Sequence, residues 1–329
     1  MGLLTTLKTV YREEKQTGGG TVTPISFAGY AATIFAHRVL YGADRSNYEK
    51  LNFRHKGFFE KFTYLTHNFE YRFAYEVDDI NEIRKYGQKP AMYAAIKKYI
   101  GREQLFIPGA TLDDFKAFVS RHPVFIYKPD DMDGGHGVKK YDVTGMNIEE
   151  LYDEVSKTHC VIDEPVIQNK VLDNLCDKSV NTIRVVTLKV GKDIRFIAAA
   201  LRMGNGSACV DNFSSGGIVS CVDLKTGTVI GDGEDLSGNK YPKHPYSGIT
   251  LKGYQLPLWD QVIHLVEEAA TEFPINYVGW DVAIRENDCV FIEANPHCQI
   301  NAIQLGGAGG RKKQYKVLLK EWRKANGKK

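Results

Sequence analysis

Two short runs near the end of the chain restrict its fold more than anything upstream of them. Tyr277 to Arg285 and Cys289 to Ala294 are rich in strand-forming residues and flank Glu286-Asn287-Asp288, which predicts a hairpin closed with Arg285 opposite Cys289. Alternation sends Val278, Trp280, Val282 and Ile284 to the core and Asp281 to the other face. Counting from the closure sets Asp281 across from Glu293, with Glu293 and Asn295 on its face. Two carboxylates opposite each other on neighbouring strands repel, and burying them costs more. A cation between them removes the conflict, and carboxylate and amide oxygens are the hard donors that Mg²⁺ takes, usually together with substrate phosphates. The alternative is a solvated face with scattered acids. It fits poorly a segment that is otherwise apolar and ends in Asn295-Pro296.

A second pattern lies upstream in KPDDMDGGHGV, Lys128 to Val138. The apolar run Val124 to Tyr127 reads as a strand that delivers Lys128, and a glycine-rich loop follows before the chain re-enters a strand near Gly137. Glycines let backbone N–H groups close over phosphate oxygens, and the lysine adds a point charge. The loop is neither the P-loop, which needs G-x-x-x-x-G-K-[ST] and a helix behind it, nor the Rossmann fingerprint. Taken alone it reads equally as an ordinary Gly-rich β-turn; its meaning comes from pairing with the acidic hairpin.

Between these patterns, hairpins outnumber crossovers. Thr182 to Val190 and Ile194 to Met203 flank Gly191-Lys192-Asp193, and Ile218 to Asp223 and Thr228 to Ile230 flank Lys225-Thr226-Gly227. Cys160 to Ile167 reads as a further strand, and Asn147 with Glu150 as the start of a helix. An α+β fold with antiparallel sheets follows. The N-terminal hundred residues differ, holding nearly half of the aromatics. There Phe58, Phe62, Leu65 and Phe69 recur at helical spacing within Phe53 to Tyr75, which predicts one amphipathic helix.

The 329 residues, 43% hydrophobic and 25% charged, have an ordinary globular balance and length for about two domains. A formal charge of only +3 gives no reason to expect a nucleic-acid partner. Six cysteines without a C-x-x-C pair, no leader after Met1 and no apolar run of ~18 residues predict a cytoplasmic protein with reduced thiols.

The Lys-Pro and glycine loop, a strand ending Asp163-Glu164, and a late Asp…Glu-x-Asn together resemble the ATP-grasp superfamily. The chain is similar in particular to the sugar-transfer-associated ATP-grasp branch, in SVNTIRVVTL (Ser179 to Leu188), LRMG (Leu201 to Gly204), VDNFSSGGI (Val210 to Ile218), VGWDVAI (Val278 to Ile284) and IEANPH (Ile292 to His297). YGADRSNYEKLNF (Tyr41 to Phe53) extends the match upstream. The resemblance implies two α+β lobes clasping ATP. A helical N-terminal region would span residues 1–88, the small lobe with its glycine lid 89–168, the larger lobe with the metal site 169–310 and a basic tail 311–329.

It also implies roles. Lys128 would contact the α- and β-phosphates, under a mobile lid carrying Gly134, Gly135 and Gly137. Lys89 stands where many relatives have an earlier phosphate lysine, with a surface lysine at a helix start as the alternative. Glu164, Pro165, Val166 and Ile167 would read adenine through backbone hydrogen bonds. Asp281, Glu293 and Asn295 would hold Mg²⁺. Arg184 and Arg202 would neutralise charge on the transferred phosphoryl group, or else form structural ion pairs. Asp211 to Gly217 would line the acceptor side. Where relatives have small residues after Lys-Pro, Asp130, Asp131 and Asp133 add negative charge here.

The activity implied is a ligase. A substrate carboxylate attacks the γ-phosphate of ATP, an acyl phosphate forms, and an amine displaces phosphate. The substrates would be a small carboxylate and an amine, glycan-linked by the family's name alone. The other reading of the same fold is a phosphotransferase acting on a sugar or another small acceptor. The tail RKKQYKVLLKEWRKANGKK puts Tyr315, Leu318, Leu319 and Trp322 on one helical face, to pack on the domain or to meet an anionic membrane surface. The oligomeric state is not legible.

Overall fold

The computed structural model describes residues 24–130, 137–206, 211, 216–298 and 300–328. Gly134, Gly135 and His136 of the glycine loop, with Asp131 and Asp133, lie outside the described residues, as do 212–215 of the expected acceptor loop.

Two antiparallel sheets frame the molecule. The smaller combines β1 (Gln104–Phe106), β2 (Val124–Pro129), β3 (Lys139–Asp142) and β4 (Cys160–Asp163) in the order β1-β4-β2-β3. The larger combines β5 (Thr182–Val190), β6 (Asp193–Met203), β7 (Ile218–Val222), β8 (Gly233–Glu234), β9 (Lys240–Tyr241), β10 (Tyr277–Ile284) and β11 (Cys289–Asn295). Its order is β11-β10-β5-β6-β7-β8-β9. The α+β expectation is met, with every strand pair antiparallel.

Each sheet has its own core. Phe115, Phe118, Phe125, Leu151 and Ile162 fill the smaller one, under the helices Leu112–Arg121 and Ile148–Val155. The larger sheet packs on the helix Trp259–Glu272 and on the terminal helix Lys312–Ala325. β10 is buried at every position, which is why its sequence is apolar apart from Asp281. Gly191 turns the β5–β6 hairpin at φ +63°, a backbone conformation natural to glycine.

The acidic hairpin closes around a loop one residue longer than its sequence suggests. Ile284, not Arg285, pairs with Cys289. The Arg285 N–H donates to the Asp288 carbonyl at 2.8 Å, and its guanidinium grips the Asp288 carboxylate at 2.5 and 2.6 Å. A one-residue slip should carry Glu293 to the wrong face. It does not, because β11 bulges between the Val282–Phe291 and Asp281–Glu293 pairs, leaving Ile292 as the extra residue. Asp281 therefore faces Glu293 after all, by a route that alternation alone does not reveal.

The stretch Phe53 to Tyr75 is not one helix. It breaks into a 3₁₀ turn (Phe53–His55), a single helical turn (Phe58–Lys61) and the helix His67–Val77. Between them Leu65 uses both backbone groups on the Gln304 side chain, donating to Oε1 at 2.7 Å and accepting from Nε2 at 3.2 Å. Those tertiary bonds compete with helical ones. Leu65 is buried, whereas Phe58 and Phe62 are exposed, so the four residues share no single face. Likewise β4 ends at Asp163 rather than Ile167: the Glu164 N–H bonds the Glu103 carbonyl at 2.9 Å and Pro165 has no N–H to extend a ladder.

On the terminal helix, Tyr315, Leu318 and Trp322 are buried in the main core, where Tyr315 meets Phe73 and Tyr277. That apolar face is thus covered by protein, leaving only the basic side outward. Among the described residues, no helix is long and apolar enough to cross a membrane.

Candidate active site

The two sheets face each other across a cavity of about 390 Å³. The smaller sheet lines it with Ile126, Lys128, Pro129 and Lys140, the larger with Arg184, Arg202, Asp281, Glu293 and Asn295. Pairing of β10 with β5 sets Asp281 beside Arg184, and pairing of β5 with β6 sets Arg202 opposite Thr182, two residues along from Arg184 on β5.

Asp281 is the hub of this floor. It accepts Arg184 Nε at 2.5 Å and Nη2 at 2.9 Å, and Arg202 Nη1 at 2.8 Å. Burial by itself would raise its carboxyl pKa, but the two guanidiniums outweigh burial and hold it below the usual range. Arg202 also reaches Asp211 at 3.5 Å, whose carboxylate accepts the Thr182 N–H at 2.9 Å. Arg184 Nη1 donates to the Cys298 carbonyl at 2.5 Å. Both arginines thus form the structural ion pairs that were one of their two readings, while still bordering the cavity.

Glu293 stands differently. Burial first, and then the Asp281 charge, push its carboxyl above the ordinary range, against the pull of Lys128, Lys89 and Arg184. Among the described residues, no side chain hydrogen-bonds it. Asn295 donates to Asp281 Oδ2 at 3.4 Å and borders the same cavity. A divalent cation fits this donor set chemically: it would offset the like-charge conflict that raises Glu293 and would take hard oxygens from residues already adjacent.

Opposite this floor, Lys128 is held by a buried ion pair. Its Nζ lies 2.5 Å from Asp163 Oδ2, and Arg102 Nη1 lies 2.5 Å from the same oxygen. Although burial opposes it, these two cations keep Asp163 below the usual carboxylate range. Lys89 opens the helix Lys89–Ala95 and donates to the Pro129 carbonyl at 2.8 Å, so it ties that helix to the start of the glycine loop. Gly137, at φ +74°, is the one glycine of the expected lid within the described residues. Of the four residues expected to meet adenine, Val166 and Ile167 are left to offer N–H groups, and the Ile167 side chain is 84% exposed at the cavity rim.

Two buried groups near the site carry no local sequence signal. Arg102 and Tyr93 join Asp163 to the edge strand β11, and Glu70, on the helix His67–Val77, is buried next to the segment after β11. Among the described residues Glu70 Oε1 has no hydrogen-bond partner, and burial pushes its pKa up to about 7. Only partners distant in sequence give these three residues a purpose.

With two antiparallel sheets clasping a cavity lined by lysines, arginines and hard oxygen donors, the class of protein is set. Residues 83–317 match the model of the sugar-transfer associated ATP-grasp family, and the chain belongs to that family. Among curated proteins, none matches by sequence. Solved structures similar to this chain include three enzymes. The ATP-grasp ligase PsnB, complexed with a phosphomimetic variant of its minimal precursor, Mg and ADP, is 11% identical, with a TM-score of 0.45 over 72% of this chain and 60% of that one. Carboxyaminoimidazole ribonucleotide synthase from Aspergillus clavatus, complexed with ATP, is 10% identical with a TM-score of 0.43 over 66% and 46%. The L-amino acid ligase from Bacillus licheniformis is 12% identical with a TM-score of 0.42 over 70% and 44%. The chain spans about 60% of the length of the first of these.

Proposed function

We propose that the protein is an ATP-dependent carboxylate–amine ligase that releases ADP and phosphate. The observation that carries this reading is the convergence, in one cavity, of Lys128 from the smaller sheet with Arg184, Arg202, Asp281, Glu293 and Asn295 from the larger. Cations on two sides suit a polyphosphate, and the acidic side suits the metal that accompanies it. Asp281, Glu293 and Asn295 would hold Mg²⁺, which when bound supplies charge neutralisation to the phosphates.

The remaining roles belong to the chain itself. Lys128 binds the nucleotide phosphates, with Lys89 fixing the loop that follows it. Val166 and Ile167 offer backbone N–H groups to the base. Arg184 and Arg202, oriented by Asp281, present guanidinium edges to the γ-phosphoryl group. A substrate carboxylate oxygen attacks the γ-phosphorus, the bond to the bridging oxygen breaks and ADP leaves. The amine then attacks the acyl carbon, losing a proton as phosphate departs. No described Ser-His-Asp or Cys-His arrangement borders the cavity to act as a nucleophile. The substrate class we propose is a sugar acid or an amino acid used in surface-polysaccharide assembly; what supports it is the family's association with sugar transfer.

The test is a screen of sugar acids and amino acids against amines, following ADP and phosphate together in the presence of Mg²⁺. A ligase yields ADP and free phosphate in equal amounts with an amide product. ADP without free phosphate, together with a phosphorylated acceptor, would establish the phosphotransferase instead.

A further inference from the structure

β11 is the edge of the larger sheet, so one row of its backbone groups has no strand beside it. At the bulge those groups are met by side chains from the segment that leads into the smaller sheet. Arg102 Nε donates to the Phe291 carbonyl at 3.2 Å and Nη2 to the Ile292 carbonyl at 3.1 Å. The Tyr93 hydroxyl donates to the same Ile292 carbonyl at 3.2 Å. Ile292 is the extra residue whose insertion turns Glu293 toward Asp281. The third arm of the guanidinium, Nη1, pairs with Asp163, and Asp163 pairs with Lys128. Arg102 is 3% exposed at its side chain, and Gln104 Nε2 completes the cluster at 3.2 Å from Asp163 Oδ1.

We infer that Arg102 is a positioning residue that sets the phosphate lysine Lys128 and the acidic ladder Asp281–Glu293 in a single geometry, one arm acting through Asp163 and two through the bulge carbonyls. The physical case rests on the planar fork. A guanidinium has five N–H donors at fixed angles, so holding one acceptor constrains where the others lie. Lys128 belongs to β2 and Glu293 to β11, in different sheets, and no backbone ladder joins those strands. Their separation must match the spacing of nucleotide phosphates and the metal between them, and a shift of about 1 Å in such a site can cost on the order of 100-fold. Arg102 meets the support of both within one side chain.

This inference rests on the nucleotide reading of the cavity, and calorimetric titration of the full-length protein with ADP, with and without Mg²⁺, separates the two. In Arg102→Lys the charge beside Asp163 remains, but a single ammonium cannot span two carbonyls and a carboxylate. Binding without Mg²⁺ should stay within about twofold of wild type, while the gain on adding Mg²⁺ falls about tenfold. In Arg102→Gln the Asp163 arm goes too. ADP binding without Mg²⁺ should fall about tenfold, and adding Lys128→Ala should cost less than about twofold more, because that lysine is already displaced. Should Arg102→Gln not fold, Tyr93→Phe weakens both arms at once, because the Tyr93 hydroxyl also meets Asp163 at 3.5 Å and Lys128 at 3.4 Å, so the affinity without Mg²⁺ and the Mg²⁺ gain should both fall, each by less than about tenfold. A wild-type Mg²⁺ response in Arg102→Lys, or fully additive losses in the Arg102→Gln, Lys128→Ala pair, would overturn the inference. Wild-type protein that binds no ADP would overturn the nucleotide reading itself, and this inference with it.

Discussion

Glu293 and Asp281 are both half of one ladder pair, yet their surroundings pull them apart. Asp281 is neutralised by two guanidiniums, whereas Glu293 keeps the burial and like-charge cost. Glu293→Gln removes that cost, so the metal-free protein should melt about 2 °C higher or more, while turnover is abolished. A melt and an assay on the same preparation check both halves. Glu70 makes a second residue-level prediction. Its pKa of about 7 lies above the ordinary glutamate value, so the folded state holds the proton more tightly than the unfolded one. Its contribution to stability is present at low pH and is lost as pH rises from about 4.5 through 7, on the order of 3 kcal/mol in all. Glu70→Gln should flatten that decline in chemical denaturation followed across pH. The acidic pair is suggested by strand alternation and Lys128 by the glycine loop that follows it, because those signals are local in the chain. Arg102 and Glu70 are not, because their partners lie far away in the chain.

Among the elements, the hairpins were the most legible. β5 and β6 fall within one residue of their predicted bounds, because long β-branched runs on either side of a glycine turn have few alternatives. The segment Phe53 to Tyr75 departs from the single helix its spacing predicts, since helical spacing is a local signal and the Gln304 bonds that interrupt it are not. Close backbone contacts between elements are equally hidden. Gly231, after β7, lies so near residues 306 and 307 that a Cβ there would come within 1.9 Å of the Gly306 carbonyl oxygen. Gly306 also accepts the Cys221 N–H at 2.9 Å, so neither backbone can yield without breaking the other's bond. Gly231→Ala should therefore destabilise by about 3 kcal/mol, as read by urea unfolding, whereas Gly248→Ala, with open space around it, should cost only its backbone strain of about 1 kcal/mol.

For the whole molecule, the family match begins at residue 83 and ends at 317, but the core does not. Leu65, Phe73 and Val77 on one side and Leu318 and Trp322 on the other belong to the main cluster around β5 and β10. Arg323 pairs with Glu76 at 2.5 and 2.9 Å, and both residues lie outside the matched stretch. A fragment limited to residues 83–317 should fail to give a cooperative melt, while the full chain gives one. A sharp transition in the fragment would show that the flanking helices are accessory.

Taken by itself, the order of residues determined that the sheets are antiparallel, that an acidic pair and an amide share one face of a hairpin, and that a lysine precedes a glycine loop. Those features depend on period and on near neighbours, which a linear string records. Only the tertiary structure decided that a bulge restores the register of that pair, that two arginines share one carboxylate, and that Arg102 stands between the sheets. Each of those depends on which distant backbone group or charge is left for a side chain to satisfy, and that is settled only when the chain has closed on itself.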